Sequence, residues 1–411
     1  ENKTLCSMAA KMSYFAENGL RANLGLPTWL GNFLVEQGPF QRLISWLSPL
    51  ALPMEVPFLW LWTHLPPHLR YFILMMPWHC WLVLHKALPG TLVRRGMVDE
   101  MSIEAHALGN ILYWVRLIPI TKRRMRFSLN QLDSSCPPSL SLKREIIDLP
   151  ARGVSGIFLH TGGENAGVIY WIFGGAFVGG SIKGSMGFAE QYGRRTGCDV
   201  FMINMRLYPE NGIQDAVIDA CRGYEWLLTR TPAEKVVVYG LSSGGGVGLR
   251  LLQLAAATEN RATFFHSPSE KTPQPAGAIL CGAWIRYTTP TFSMKEFTVL
   301  DWVVTQRVFE FIFPKLGDMC GGEELRDQVS PLCNDMQGLC PLYISVSKHE
   351  VCVDENHELV QKARNAKVEV ELDEVPYMPH AFQWCTTFLP EAREADNRIV
   401  QWMLRKLSNK N

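Results

Sequence analysis

The chain contains 411 residues, of which 47% are hydrophobic and 19% are charged, and its formal net charge is +1. This composition predicts a globular protein with a large apolar core and excludes an intrinsically disordered chain. The balanced charge, with no basic stripe interleaved with aromatic residues, gives no indication of a nucleic-acid partner.

The N-terminal region, residues 1–140, is rich in tryptophan and proline and contains long apolar runs within residues 43–90. The uncharged run 71–85 is shorter than the roughly 20 residues of a membrane-spanning helix, and prolines interrupt the run before it. Three interpretations stay open. Two are favoured equally, a helical cap on a catalytic domain and a cap that also contacts a membrane surface, and a transmembrane span is the less favoured third. The flanking basic residues are Arg70, Lys86, Arg94 and Arg95.

The cellular location stays open between membrane-associated, either peripheral or monotopic, and cytoplasmic. The chain begins at Glu1, and a removed N-terminal signal would leave no trace. Eleven cysteines without a C-x-x-C pair indicate neither a zinc site nor a complete disulfide framework, and we interpret them as free thiols in a reducing compartment. No pattern indicates an oligomeric state.

From residue 143 onwards, apolar runs alternate with amphipathic segments, which predicts a mostly parallel sheet flanked by helices. Eight runs have the pattern of strands, namely "REIIDL", "GIFLHT", "GVIYWIF", "DVFMINM", "KVVVYG", "AGAILCG", "PLYISVS" and "VEVELDEV". Helices are predicted over 181–196, 212–229, 243–257, 355–366 and 392–407. We expect a catalytic domain over residues 141–411.

One connection in this domain, residues 284–325, is too long for a simple loop. Within it, "MKEFTVLDWVVTQRVFEFIF" has a helical period. We expect a second piece of cap, inserted after the sixth strand.

The turn after the fifth strand carries the most informative motif. Gly240-Leu241-Ser242-Ser243-Gly244 matches G-x-S-x-G, the nucleophile elbow, in which a sharp strand-to-helix turn exposes a serine hydroxyl. Ser242 has a glycine two residues away on both sides, whereas Ser243 does not. The alternatives are a plain glycine-rich turn or a phosphate cradle at a helix N-terminus, although the Gly-Lys-Ser/Thr ending of a P-loop is absent.

A nucleophilic serine needs a base, an orienting acid and an oxyanion hole. His380, in "VPYMPHAFQW", follows the last strand, where a hydrolase sheet carries its base. Glu350 and Asp354 follow the seventh strand, and only one of them can accept the imidazole N–H. For the oxyanion hole, Gly174 and Gly175 follow the third strand, and the N–H of the residue after the nucleophile would be a further donor.

Six short motifs, in their order and spacing, resemble those of the hormone-sensitive-lipase-like branch of the α/β-hydrolases. This branch consists of carboxylesterases and lipases. The motifs are "FGGAFVGGS", "MRLYPE", "GLSSGG", "SPL", "SKHEVCVDE" and "MPHAF". The resemblance covers roughly residues 143–407. It implies an α/β-hydrolase fold with an eight-stranded, mostly parallel sheet and a cap built partly from the N-terminal segment. The implied site consists of the nucleophile Ser242, the base His380, and the oxyanion-hole donors Gly174, Gly175 and Ser243.

The chain departs from the family's motifs at four positions. Phe173 replaces the histidine that steadies the oxyanion loop, and Ala176 replaces its third glycine. Leu241 replaces the aspartate before the nucleophile. Glu350 stands where the family has its catalytic aspartate, and we expect it to be the acid, with Asp354 as the fallback.

The implied function is hydrolysis of a lipophilic ester through an acyl-enzyme, without a metal or organic cofactor. Activity is expected to rise with pH as the histidine loses its proton, with a midpoint around 6 to 7. One alternative is a transacylase that uses the same triad. Another is a catalytically decayed hydrolase fold that serves as a binding protein or a structural subunit.

Overall fold

The computed structural model describes most of the chain from residue 62 onwards. The described residues are 62, 64–87, 101–115, 120–163, 167–257, 261–267, 271–297, 301 and 303–408. The predictions for Arg94, Arg95 and the apolar runs before residue 62 lie outside these ranges.

A single sheet of eight strands forms the centre of the fold. The strands are β1 Lys143–Leu149, β2 Val154–His160, β3 Val168–Ile172, β4 Asp199–Ile203, β5 Val236–Leu241, β6 Gly277–Cys281, β7 Leu342–Ser347 and β8 Val370–Val375. Their order is β1-β2-β4-β3-β5-β6-β7-β8. Strand β2 pairs antiparallel with both β1 and β4, and all other neighbours are parallel. The predicted eight-stranded, mostly parallel sheet is confirmed.

The described residues form helices that include those predicted between the strands. In chain order they are α1 Pro67–Ala87, α2 Ile103–Val115, α3 Lys122–Asn130, α4 Ile182–Thr196, α5 Ile213–Leu228, α6 Ser243–Ala256, α7 Phe292–Glu296, α8 Gln306–Ile312, α9 Leu316–Cys320, α10 Arg326–Val329, α11 Val353–Asn365 and α12 Pro390–Ser408. Short 3₁₀ segments lie at Leu132–Ser134, Pro150–Arg152, Ala233–Lys235, Phe313–Lys315, Glu323–Leu325, Pro331–Cys333 and Phe382–Cys385.

The central strands β3, β5, β6 and β7 are buried at every residue. Parallel strands with helices on both faces have no solvent-facing side, so they are continuously apolar rather than alternating. Since β5 and β7 run parallel, the residues that follow them meet at one edge of the sheet. This edge carries the elbow and the segment that contains Glu350.

Helix α1 packs beside the loop that carries His380. Met75 and Trp78 on this helix share an apolar cluster with Met378 and Phe382, which flank the histidine, and with residues at the start of α12. Helix α1 is thus anchored next to the predicted base.

Arg70 is not available as an interfacial cation beside the apolar run, which corrects its role expected from the sequence. Its side chain is fully buried and donates from Nη2 to Asp133 Oδ2 at 2.8 Å, and Asp133 is 1% exposed. A buried guanidinium is tolerated because it is paired. Lys86 is exposed and lies 3.2 Å from Glu104 on α2.

The opposite face of α1 is apolar and exposed. Phe72, Met76 and Val83 are 60%, 58% and 66% exposed, respectively. With Leu69, Ile73 and Leu84 they fall on one side of a helix with 3.6 residues per turn, and we call this face the α1 stripe. No helix among the described residues is both long and apolar enough to cross a membrane.

The insertion after β6 is not one continuous helix over 294–313, which corrects the helical period assigned to it. It contains the short helices α7 and α8, and Asp301 between them is not helical. Asp301 Oδ1 accepts hydrogen bonds from the N–H groups of Val303 and Val304 at 2.9 and 3.0 Å. A side chain that bonds the following main chain competes with helical hydrogen bonding, so the helix begins again only at Gln306.

Candidate active site

Ser242 lies in the turn between β5 and α6 with φ 54° and ψ −123°, a conformation that non-glycine residues rarely adopt. Its N–H donates to Cys281 O at the end of β6 (2.8 Å), and its carbonyl accepts from Trp284 N (3.0 Å). A Cβ at Gly244 would collide with the carbonyl oxygen of Ile172, so the turn requires glycine there. The neighbouring strands hold the backbone in this strained position.

His380 connects the serine to a buried carboxylate. Its Nε2 lies 2.8 Å from Ser242 Oγ, and its Nδ1 is hydrogen-bonded to Glu350 Oε2. Glu350 is fully buried, and its other oxygen accepts from Ser347 N at 2.8 Å. With the Nδ1 proton directed to Glu350, Nε2 is free to accept the serine proton.

The electrostatic environment of His380 favours its charged form. Burial lowers the pKa of the imidazole, but the charge of Glu350, its hydrogen bond to Nδ1 and the charge of Asp301 outweigh this, so the pKa is raised above the ordinary histidine value. The imidazolium that forms when a serine is deprotonated is stabilised by the same charges.

Asp354, the fallback acid, lies in a different place. Its Oδ2 accepts from Ser293 N at 2.7 Å, and its own N–H lies 3.4 Å from Ser293 Oγ. Asp354 therefore attaches the first turn of α11 to α7 in the insertion. Of the two carboxylates left open by the sequence, the structure brings Glu350 to the histidine.

The predicted oxyanion loop passes directly beside the elbow. A Cβ at Gly174 would lie 2.5 Å from Leu241 O and 3.2 Å from Ser242 Cβ, so only glycine fits. The N–H of Gly175 donates to Ser243 Oγ at 3.1 Å. The N–H of Ser243 is in the first turn of α6, where main-chain donors have no intrahelical acceptor. All three predicted donors thus lie around the elbow, and the N–H of Gly175 contacts the side chain of Ser243.

Apolar packing supports the oxyanion loop where the family has a histidine. Phe173 is 1% exposed and packs against Gly180, which follows the loop. Ala176 and Phe177 have φ of 54° and 61°, so the loop turns sharply without glycine at these positions. The N–H groups of Val178 and Gly179 donate back to Gly175 O at 3.1 and 3.0 Å, which closes the turn.

An apolar pocket opens onto Ser242 Oγ and His380. Its empty volume is about 460 Å³, part of which is open to solvent. The residues that the insertion contributes to its wall are Trp284, Met294, Val304, Val308, Phe309, Ile312 and Phe313. Within the described residues, α1, α2 and α3 contribute none. A mostly apolar pocket with few polar groups is the usual form of a site for a lipophilic group.

Cys352 lies beside the triad in the pocket wall. Its Sγ, one Glu350 oxygen and one His380 nitrogen all lie within 4.8 Å of one another. Three such groups could also hold a metal ion. However, Glu350 and His380 are hydrogen-bonded to each other, and burial raises the pKa of the Cys352 thiol well above its usual value. We therefore interpret Glu350 and His380 as members of the triad and Cys352 as a neutral residue of the pocket wall. All ten cysteines within the described residues are free thiols.

Comparison with known proteins agrees with this geometry. The alpha/beta hydrolase fold family matches residues 169–384, more than half of the chain. An esterase of Acinetobacter venetianus is 26% identical over 284 residues, which are 68% of this chain and 87% of the relative. Esterase LipU of Mycobacterium tuberculosis is 22% identical over 276 residues, 65% of this chain and 88% of the relative.

The fold also matches solved structures. An esterase from the bacterial hormone-sensitive lipase family superimposes with a TM-score of 0.65 at 24% identity, over 75% of this chain and 99% of that chain. The chain belongs to the alpha/beta hydrolase fold family. The predicted resemblance to its hormone-sensitive-lipase-like branch is confirmed, and the esterase relatives agree with the predicted class of carboxylic ester hydrolases.

The sequence reasoning missed two polar groups at this site. One is the hydroxyl of Ser243, which accepts from Gly175 N; the other is Asp301, whose Oδ2 accepts from His380 N at 3.0 Å. The signal for Asp301 was present, because it is the one charged residue in the apolar run "FTVLDWVV". Nothing in the sequence relates it to a histidine 79 residues further along the chain.

Proposed function

We propose that this chain is a serine carboxylic ester hydrolase that acts on lipophilic esters through an acyl-enzyme. The observation that carries the proposal is the continuous contact from Ser242 Oγ through His380 to the buried Glu350, with 2.8 Å between the serine oxygen and Nε2. This is the distance at which a general base can take the hydroxyl proton.

In the acylation half, Ser242 Oγ forms a bond to the ester carbonyl carbon as its proton passes to His380 Nε2. Glu350 stays ionised and stabilises the imidazolium. The tetrahedral intermediate collapses by breaking the bond to the alcohol oxygen, which takes the proton from Nε2. In the second half, water attacks the acyl-enzyme as His380 Nε2 takes one of its protons. The bond from the acyl carbon to Ser242 Oγ then breaks, Oγ takes the proton back from Nε2, and the carboxylic acid leaves.

The developing oxyanion would be stabilised by the N–H groups of Gly174, Gly175 and Ser243. The proximity of Gly174 to Ser242 and the position of Ser243 at the start of α6 support this assignment. Gly175 donates to the Ser243 hydroxyl in the structure, so it would have to share its N–H with the substrate oxygen.

Two observations support a lipophilic substrate met at a membrane surface. The pocket wall supplied by the insertion is built from apolar and aromatic side chains. The exposed α1 stripe carries no charged residue, and α1 packs next to the histidine loop. An uncharged apolar helix face that lies along the interface is a common means of peripheral membrane binding.

The proposal is tested with a fluorophosphonate, which reacts with an activated serine. We expect one adduct, located on Ser242 by mass spectrometry, and its loss in Ser242→Ala and His380→Ala. The matched control is Ser243→Ala, in the same turn, which should still be labelled at Ser242. Absence of labelling in a folded wild-type protein would contradict the hydrolase and favour the binding-protein alternative. Products formed with a competing alcohol would separate hydrolysis from acyl transfer.

A further inference from the structure

The insertion and the histidine loop meet at one buried carboxylate. Asp301 is 1% exposed, and its two oxygens bond different parts of the chain. Oδ2 accepts from the main-chain N–H of His380 at 3.0 Å. Oδ1 accepts from the main-chain N–H groups of Val303 and Val304 at 2.9 and 3.0 Å.

These three hydrogen bonds join the acyl pocket to the base. Val304 lies in the pocket wall, and the segment that it begins leads into α8, which supplies Val308, Phe309 and Ile312 to the same wall. On the other side, the backbone of His380 is held beside Tyr377 and Ala381, both with φ of 59°. A loop with such conformations depends on its surroundings to keep its shape.

We propose that Asp301 is a positioning residue that couples the insertion to catalysis by holding His380 in line with Ser242 and Glu350 while it fixes the pocket wall. This inference rests on the proposed triad. Asp301 touches neither the serine nor the substrate pocket, so it acts through the histidine backbone and through its charge.

Among the described residues, three titratable groups interact electrostatically with the Asp301 carboxylate. They are the imidazole of His380, the carboxylate of Glu350 and the thiol of Cys352. The pKa of Asp301 is raised to about 6, mainly by burial and also by the charge of Glu350, although His380 and the hydrogen bonds from Val303 and Val304 lower it. Above this pH, the negative charge of Asp301 stabilises the protonated form of His380. The acid limb of the pH profile of kcat/KM therefore lies at higher pH than it would without this charge.

The substitution Asp301→Asn separates these roles because it keeps the shape and removes the charge. An amide offers one acceptor oxygen, whereas three N–H donors face Asp301, so one set of contacts must fail. We expect kcat on an acetyl ester to fall roughly ten- to a hundred-fold. The acid limb of kcat/KM should move down by about one pH unit, because the pKa of His380 falls when a nearby negative charge is lost.

A matched control uses Asp335, an exposed aspartate whose Oδ1 accepts from Gln337 N at 3.0 Å in a similar local turn. Asp335→Asn should leave both kcat and the pH profile unchanged. A second readout is the KM for medium-chain esters, which should rise more in Asp301→Asn than the KM for acetyl esters, since the pocket wall is released.

Asp301→Glu keeps the charge, so its acid limb should stay at the wild-type pH while kcat falls. If Asp301→Asn fails to fold in thermal denaturation, Asp301→Glu decides: a reduced kcat with an unshifted limb supports the inference, and an undiminished kcat overturns it. A folded Asp301→Asn with unchanged kcat and pH profile also overturns it. If the hydrolase proposal itself fails, the wild-type protein will not react with the fluorophosphonate. If only the role of Asp301 fails, the wild-type protein will still react.

Discussion

The sheet edge and the insertion after β6 contribute to the same site in different ways. The edge carries the proposed nucleophile and acid, Ser242 on the turn after β5 and Glu350 after β7, each held by strands that are buried throughout. The insertion contributes seven wall residues and contains short helices, such as α7 with five residues and α8 with seven. In the proposed mechanism, the reaction therefore takes place at the rigid sheet edge, whereas substrate selection depends on helices too short to be stable alone.

The insertion therefore depends on a few polar anchors to keep its position. Three carboxylates accept main-chain N–H groups in or near it: Asp354 from Ser293, Glu355 from Ile285, and Asp301 from Val303 and Val304. Two of them lie on α11, only four and five residues after Glu350. The segment that carries the proposed acid, Glu350, thus also anchors the pocket wall. Because different side chains serve these two roles, single substitutions should impair catalysis and wall position separately.

Between the sheet edge and the insertion, the largest loss of activity is expected when Glu350 at the sheet edge is substituted. Glu350→Gln removes the negative charge and favours the wrong tautomer of His380, so kcat should fall by roughly 10⁴-fold, as for loss of the acid in other serine triads. The matched substitution Asp354→Asn weakens the anchor of α7 instead. It should lower the melting temperature and raise KM while kcat changes less than about ten-fold. Steady-state kinetics and thermal denaturation of both variants measure the difference.

The opposite pattern, with kcat lost in Asp354→Asn and kept in Glu350→Gln, would show that Asp354 is the acid and that the contact of Glu350 with His380 is not functional.

The sequence was more informative about the sheet edge than about the insertion, and the reason is physical. Buried parallel strands need continuous apolar runs, and the elbow needs glycines at set spacings, so both leave local patterns. In the insertion, the apolar period predicted a helix that Asp301 interrupts by bonding its own following residues. The burial of Arg70 depends on Asp133, 63 residues later, and local polarity alone indicated an exposed residue.

A smaller effect is expected at the wall of the pocket. Phe309 lines the pocket and stacks on Phe313 with a centroid distance of 4.8 Å. Phe309→Ala should enlarge the acyl site, so the ratio of kcat/KM for a bulky acyl ester to that for an acetyl ester should rise roughly ten-fold. Phe311 is the matched control, because it lies on the same helix but contacts Lys315 instead of the pocket. If both variants shift the ratio equally, α8 does not select the acyl group through this wall.

The smallest effect on the chemistry itself is expected at the α1 stripe, which lies outside the site. Met76→Glu and Val83→Glu each place a charge on this face, at positions that are 58% and 66% exposed. Sedimentation with phosphatidylcholine vesicles should show roughly ten-fold weaker binding, since one buried apolar side chain contributes about 1.5–3 kcal/mol. Hydrolysis of a water-soluble acetyl ester should be unchanged. Ile146→Glu, on β1 at a position that is 79% exposed, tests whether any added charge has this effect. Equal losses in all three variants, or none in the two stripe variants, would contradict membrane contact through α1 and leave the helix as a support for the histidine loop.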